Sequence, residues 1–221
     1  MKLCVIAGDK VKDAKNLPEC DVAVFGFSGL GEVDYECELK GVSDKFEDVC
    51  RISKQTDCGA ICACRTKSYG VMRKSVAVAD RGRLLGISDM NHVIDCDNLK
   101  SGAGLGIYSL CGYKVGVCIE NDLYFPDGIK ALAMCGCNAV VAVLEEIKDN
   151  MPPLLIRAYS YLYGVPIVMC AGKVAYFSET SGAVASSVQP VSLFEINLKN
   201  SYHLVTTRQK GFLGDCEKAD Y

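Results

Sequence analysis

The sequence lacks a long hydrophobic run, an excess of either charge and any cluster of histidines. Half of its 221 residues are hydrophobic, but the longest apolar stretches, 138–144 and 165–171, are far shorter than the ~20 residues of a membrane-spanning helix. The net charge of −3 also lacks the basic excess that is typical of nucleic-acid binding. Such a hydrophobic chain of low charge is unlike a disordered one. We therefore expect a globular protein that binds neither membranes nor nucleic acid.

Cysteine, in contrast, is abundant, with 14 in the chain. The amino-terminal apolar run is about five residues and ends at Asp9 and Lys10, whereas a secretory signal needs ~7–15. We therefore expect a reducing, cytoplasmic location, in which disulfides are disfavoured. Buried thiols that pack as small apolar side chains are the preferred interpretation.

A thiol-rich metal or redox protein is the alternative interpretation of these cysteines. The chain has only two histidines and no Cys-x-x-Cys pair, so the spacing does not suit the usual zinc sites. The candidate thiols would be Cys58, Cys62 and Cys64, or Cys135 and Cys137. The glycine-rich stretch 102–106 lacks the strand–helix context of a dinucleotide site. We predict no metal and no other cofactor.

Short apolar runs that are typical of buried strands alternate with helical patterns along the chain. The strand predictions are 3–7, 21–26, 59–65, 75–79, 84–87, 113–119, 138–144, 165–171, 183–185 and 193–198. The helix predictions are 47–54, a helix that opens at 125–127, and 154–163. No linker separates the halves. We therefore predict a single α/β domain over 1–221, with a peripheral tail from about 205 to 221.

The most specific pattern lies within 114–171. A strand is followed by an acidic residue and by a Phe-Pro pair that opens a helix, in the run 118–127. The helix leads through 132–138 into another apolar strand, and Arg157-Ala158 stands in a later helix before a further strand. This order resembles the nitrilase, or carbon–nitrogen hydrolase, superfamily. Looser similarity in the amino-terminal half extends the resemblance over most of residues 1–200.

The resemblance implies a four-layer α-β-β-α sandwich and, in active members, hydrolysis of a nitrile or an amide. The family uses a Glu-Lys-Cys triad, in which the carboxylate takes the thiol proton and the thiolate attacks the carbon. The lysine stabilises the negative charge that develops. Relatives commonly dimerise across the helices beside the nucleophile strand, so we expect a homodimer or a higher homo-oligomer.

Carried over position by position, the triad is replaced by Phe27, Met90 and Glu120. Met90 lies two residues before His92, and Glu120 lies five before Phe125, as the family pattern requires of its lysine and its nucleophile. Phenylalanine cannot take a proton and methionine cannot hold a positive charge. We therefore predict an inactive member that binds a small molecule or a partner protein.

Glu120 itself allows two interpretations. At the floor of a cleft between Phe27 and Met90, its carboxylate could bind a cationic ligand. Alternatively, Glu120 hydrogen-bonds locally and the former site is closed. The resemblance also implies supporting roles around the pocket, which fall on His92, Asp122, Phe125 and Arg157. We expect His92 to hydrogen-bond structurally and Asp122 to brace the turn before the helix.

An active amidohydrolase with a rearranged site is a further alternative. Cys118 lies two residues before Glu120, so on a regular strand both side chains would point to the same face. A shifted alignment would make Cys118 the nucleophile. It would need a two-residue insertion where the match is otherwise tight, and it would not restore the missing glutamate and lysine.

Overall fold

Two β-sheets lie face to face and carry helices on their outer surfaces in the computed structural model, which describes residues 1–14, 17–94, 98–198, 201–203 and 207–209. The strands of the first sheet are β1 (Lys2–Ile6), β2 (Val22–Phe25), β3 (Gly31–Asp34), β4 (Gly59–Ser68), β5 (Val71–Asp80), β6 (Arg83–Asp89) and β13 (Val191–Glu195). Those of the second are β7 (Gly106–Leu110), β8 (Tyr113–Ile119), β9 (Ala139–Leu144), β10 (Ile167–Ala171), β11 (Val174–Ser178) and β12 (Val184–Ser187). The helices are α1 (Tyr35–Leu39), α2 (Lys45–Gln55), α3 (Pro126–Met134) and α4 (Met151–Tyr163). A small hairpin, β14 (Ser201–His203) and β15 (Thr207–Gln209), follows the sandwich in sequence.

Each sheet has a parallel centre and antiparallel edges. The first has the order β13-β1-β2-β4-β5-β6, with β3 also paired to β4, and the second has the order β12-β11-β10-β9-β8-β7. In the first centre, β1, β2 and β4 run parallel, and in the second, β8, β9 and β10 do. Parallel strands that are covered on both faces are expected to be continuously apolar, which is why these strands are evident in the sequence.

Side-chain alternation divides the core into three layers. On β1, Leu3 and Val5 pack between the sheets, while Cys4 and Ile6 pack on the outer side with Val49 of α2. A third layer lies between the second sheet and the helices α3 and α4. The predicted four-layer α-β-β-α sandwich is therefore confirmed.

The cysteines lie mostly within these layers. The outer layer beneath α2 contains Cys4, Cys58, Cys62 and Cys64, and the layer beneath α3 and α4 contains Cys118 and Cys137. Cys170 packs between the sheets. These thiols fill the space of small apolar side chains, as their positions in the apolar runs indicate.

Two helix boundaries carry clear sequence signals, although α4 begins at Met151, before the predicted start at 154, and includes Pro152 and Pro153. Pro126 opens α3, where a missing N–H costs nothing. Gly164 follows α4 in the left-handed conformation, with φ of 61°, which glycine adopts without strain. No helix in the described part of the chain is long and apolar enough to cross a membrane.

Short, partly exposed elements are missing from the sequence-based prediction. These include β3, β7, β11 and the single-turn helix α1. In β3 only Val33 is buried, so no apolar run marks the strand. Apart from β15, the peripheral tail predicted for 205–221 lies outside the described residues.

Candidate functional site at the end of strand β8

The chain turns sharply where β8 ends. Glu120 follows Ile119 with φ of 50°, in the left-handed region, and begins a single 3-10 turn that runs to Tyr124. A residue with a Cβ atom is disfavoured there by about 1–2 kcal/mol. Strained backbone of this kind concentrates at functional sites. We call this turn the elbow.

The carboxylate of Glu120 is bound to a lysine of the opposite sheet. Lys74 Nζ of β5 lies 3.1 Å from Glu120 Oε1 and 3.1 Å from Oε2 of Glu145, the residue that follows β9. The backbone N–H of Glu145 donates to Glu120 Oε1 at 2.6 Å. The side chains of Lys74 and Glu120 are only 17% and 13% exposed, so these contacts are shielded from water.

Arg65 of β4 completes the charge balance. It is the register partner of Lys74, and its guanidinium lies 2.5 Å from Glu145 Oε1. Burial acts to raise the pKa of Glu145, but the hydrogen bonds and charges of Arg65 and Lys74 outweigh it and hold that pKa below its ordinary value. We call these residues, Arg65, Lys74, Glu120 and Glu145, the ion cluster. Its two cations balance two carboxylates.

Phe27 and Met90 lie beside Lys74. The ring centroid of Phe27 is 5.7 Å from Lys74 Nζ, within the range of a cation–π contact. The Met90 N–H donates to the Lys74 carbonyl oxygen at 2.8 Å, and both Phe27 and Met90 are buried in the core between the sheets. All three residues assigned to the triad positions therefore lie next to Lys74. Phe27 and Glu120 contact it through their side chains, and Met90 contacts it through its backbone.

Sequence reasoning missed three residues of the ion cluster, Arg65, Glu145 and Lys74, of which Lys74 contacts both carboxylates. Val76 and Val78 of the same strand face the space between the sheets. Because side chains alternate along a strand, a lysine two residues before Val76 shares that inward face. The sequence signal for this site was therefore a lysine at a strand position that alternation assigns to the buried face of Val76 and Val78.

A second set of contacts fastens the elbow from its other side. Asp122 accepts hydrogen bonds from the backbone N–H groups of Asn91, at 3.0 Å, and His92, at 2.8 Å. His92 Nδ1 lies 2.8 Å from the same carboxylate, and the His92 ring stacks on Phe125 with centroids 3.8 Å apart. Asp122 thus ties the loop after β6 to the elbow. We call this set the Asp122 brace.

Cys118 and Glu120 do not share a face, contrary to the expectation from strand alternation. Cys118 packs in the outer layer with α3 and α4, while Glu120 reaches Lys74 of the opposite sheet. The reason is the left-handed backbone at Glu120, which interrupts the alternation. Burial, together with the nearby charge of Asp122, raises the pKa of the Cys118 thiol well above its usual value. The adjoining cavity of about 40 Å³ is far smaller than the ~300–1,000 Å³ of a typical small-molecule pocket.

Arg157 lies away from the ion cluster. It is on the exposed side of α4, in an open groove of about 350 Å³ that it shares with Leu154, Tyr161 and Gly182. The structure therefore does not bring Arg157 to the other residues that the resemblance assigned to the pocket.

Two alternative groups of thiols are the candidates for a metal or redox site. Cys58, Cys62 and Cys64 are buried in the layer beneath α2, and of the second group Cys135 is exposed whereas Cys137 is buried. Within the described ranges, no group of three or more histidine, cysteine, aspartate or glutamate side chains could hold a metal ion.

Solved structures with the same architecture exist, although the sequence matches no family model and no curated protein. A cysteine-to-alanine mutant of an amidase of the nitrilase superfamily, from Nesterenkonia AN1, aligns with a TM-score of 0.69 over 87% of this chain and 88% of that one, at 13% identity. The NitN amidase from Nesterenkonia sp. AN1 aligns with a TM-score of 0.70 over 89% and 93%, at 11% identity. This chain has the nitrilase fold.

The amidase also exists in a form that has reacted at its site. A glutamate-to-glutamine mutant of it carries acrylamide added to the active-site cysteine, and aligns with this chain at a TM-score of 0.70. At 11% identity, the likeness concerns the nitrilase fold and not the chemistry.

Proposed function

We propose that this nitrilase-fold protein does not hydrolyse nitriles or amides, and that it acts by binding a small molecule or a partner protein at the former active-site cleft. The observation that carries the proposal is Glu120. Its carboxylate stands at the elbow, where the family resemblance places the thiolate, and is held by Lys74 and by the backbone N–H of Glu145. A carboxylate so bound by hydrogen bonds is a weak nucleophile, whereas this chemistry requires an activated one.

The surroundings of Glu120 support the same conclusion. Phe27, at the position of the general base, has no atom that accepts a proton. Met90, at the position of the lysine, is buried in the core and carries no charge. Lys74 does supply a cation, but it is bound to two carboxylates and is not free to stabilise an oxyanion.

Ammonia release tests the proposal. The purified protein, kept reduced, is incubated with a panel of aliphatic and aromatic amides and nitriles, beside an active amidase as the positive control. We expect no ammonia above the blank. Release that is abolished in Cys118→Ser but kept in Cys62→Ser would overturn the proposal and favour the rearranged site.

Alkylation provides an independent check on Cys118. Its burial and its raised pKa both disfavour the thiolate, which is the form that reacts with iodoacetamide. We expect Cys118 to react far more slowly than the exposed Cys135, as followed by peptide mass spectrometry. Faster reaction at Cys118 than at Cys135 would contradict the inactive site.

We also propose that the protein forms a homodimer through the outer face of α3 and α4. Large apolar side chains on that face are exposed, namely Met134, Leu154, Tyr161 and Leu162. Contiguous exposed apolar residues mark interaction surfaces. Light scattering at micromolar concentration should give twice the chain mass for the wild type and the chain mass for Leu154→Glu. A monomeric wild type would refute the dimer.

The proposed location is the cytoplasm. Thiols such as Cys62 and Cys64 serve as small core residues that pack against aliphatic neighbours. This use of cysteine suits a reducing compartment.

A further inference from the structure

The ammonium group of Lys74 is surrounded by three side chains of other elements, Phe27, Glu120 and Glu145, which we call the cradle. Its Nζ is 3.1 Å from a carboxylate oxygen of Glu120 and 3.1 Å from one of Glu145, and it is 5.7 Å from the ring centroid of Phe27. Phe27, Glu120 and Glu145 follow the carboxyl ends of the parallel strands β2, β8 and β9. Ligands of open α/β sheets bind at such strand ends. Lys74 alone comes from the middle of an antiparallel strand.

We propose that Glu120, Glu145 and Phe27 form a binding site for a primary ammonium group, and that Lys74 occupies this site within the same chain. The inference rests on the proposed function, because it names the class of ligand that the former cleft binds. A primary ammonium has N–H donors for both carboxylates, and the face of an aromatic ring attracts its charge.

The charges of the ion cluster favour a cation in the cradle. With Lys74 in place, two carboxylates face two cations. Without its ammonium group, only Arg65 remains opposite Glu120 and Glu145, and one negative charge is left uncompensated in a shielded site. An uncompensated buried charge is strongly unfavourable, so a free cation of fitting shape should be bound there.

The geometry also selects among cations. Arg65 already lies against Glu145 Oε1 with its planar guanidinium, and the cradle lies at Oε2 of the same carboxylate. A compact ammonium can donate to two oxygens on different sides of itself, whereas a quaternary ammonium has no N–H to donate. We therefore expect primary alkylammonium ions to bind better than tetramethylammonium.

Chemical rescue of Lys74→Ala tests the proposal. The substitution removes Cγ, Cδ, Cε and Nζ, and n-propylammonium replaces these four atoms one for one. We expect n-propylammonium to raise the midpoint of thermal unfolding of Lys74→Ala saturably, by roughly 3–5 °C at ten times its dissociation constant. Methylammonium and tetramethylammonium should do less, and the wild type, in which Lys74 competes for the same carboxylates, should respond only at much higher concentrations.

Two control variants make the result specific. Lys148→Ala removes an exposed lysine that pairs with Glu146, and it should show no response to n-propylammonium. The double variant Lys74→Ala, Glu120→Gln leaves Glu145 balanced by Arg65, so it should fold and lose the response. An equal response in either control would overturn the proposal, as would a response of Lys74→Ala that 1-propanol at matched ionic strength reproduces.

Failure of Lys74→Ala to fold does not end the test. If it is unfolded alone, n-propylammonium should restore the circular dichroism spectrum of the wild type, and absence of refolding would count against the cradle. Amide hydrolysis by the wild type would refute the inactive function and leave the rescue result unchanged. The two proposals can therefore fail separately.

Discussion

The elbow is held from two sides by polar contacts of different kinds. On one side, the ion cluster balances carboxylates with the side chains of Lys74 and Arg65. On the other, the Asp122 brace holds a carboxylate with the backbone N–H groups of Asn91 and His92. Side-chain cations can be exchanged for other cations, whereas backbone donors are fixed by the fold. The first arrangement therefore suits ligand exchange, and the second suits permanent support.

The largest effect is expected where backbone donors lose their acceptor. Asp122→Ala removes the acceptor of two N–H groups and the partner of His92 Nδ1, and we expect a loss of about 3 kcal/mol in the free energy of unfolding. Urea unfolding measures it. Asp149 also accepts a backbone N–H, from Met151, but at the surface, so Asp149→Ala should lose less than about 1 kcal/mol. Equal losses of unfolding free energy in the two variants would contradict the stronger role given to the Asp122 brace.

A smaller effect is expected in the ion cluster. Lys74→Met keeps the length of the side chain but leaves Glu120 and Glu145 with Arg65 as their only cation, and should lower the free energy of unfolding by about 2 kcal/mol. Adding Glu120→Gln should recover part of that loss, since it removes the uncompensated charge. If the double variant is less stable than Lys74→Met, the loss does not arise from charge.

The smallest effect is a dependence on pH. Because the pKa of folded Glu145 lies below its ordinary 4.5, ionised Glu145 stabilises the folded state above about pH 4.5, and that stability is lost as the pH falls through the folded pKa. Glu145→Gln should therefore lose less stability than the wild type between pH 6 and pH 3, as measured by urea unfolding at each pH. The exposed Glu146 is the matched control, and Glu146→Gln should follow the wild-type profile.

The sequence predicts the layers better than the edges, for a physical reason. Strand β9 is buried along its whole length and β8 is buried from Val115 to Ile119, so continuous apolar runs alone detect them. In β7, only Gly106 and Leu110 are fully buried, and no run marks the strand. Short, half-buried elements form through pairing with neighbours that the local sequence does not reveal.

The site residues also divide into those that the local sequence reveals and those that only the packing of distant elements reveals. The family pattern identifies Phe27, Met90 and Glu120, and all three adjoin one lysine in the structure. The partnership of Lys74 with Glu120 depends on how two sheets pack, because the two residues are 46 positions apart in the sequence. The separation of Cys118 from Glu120 depends on one backbone angle. Neither follows from the spacing of residues along the chain.

The left-handed backbone at position 120 has a consequence for substitution. Glycine is the residue that such a φ favours, since it has no Cβ atom to be crowded. Glu120→Gly would relax that conformation and remove the acceptor of both Lys74 and the Glu145 N–H. The native residue is thus the one that the local backbone disfavours and the opposite sheet requires. At this position, local preference and long-range partnership select different amino acids.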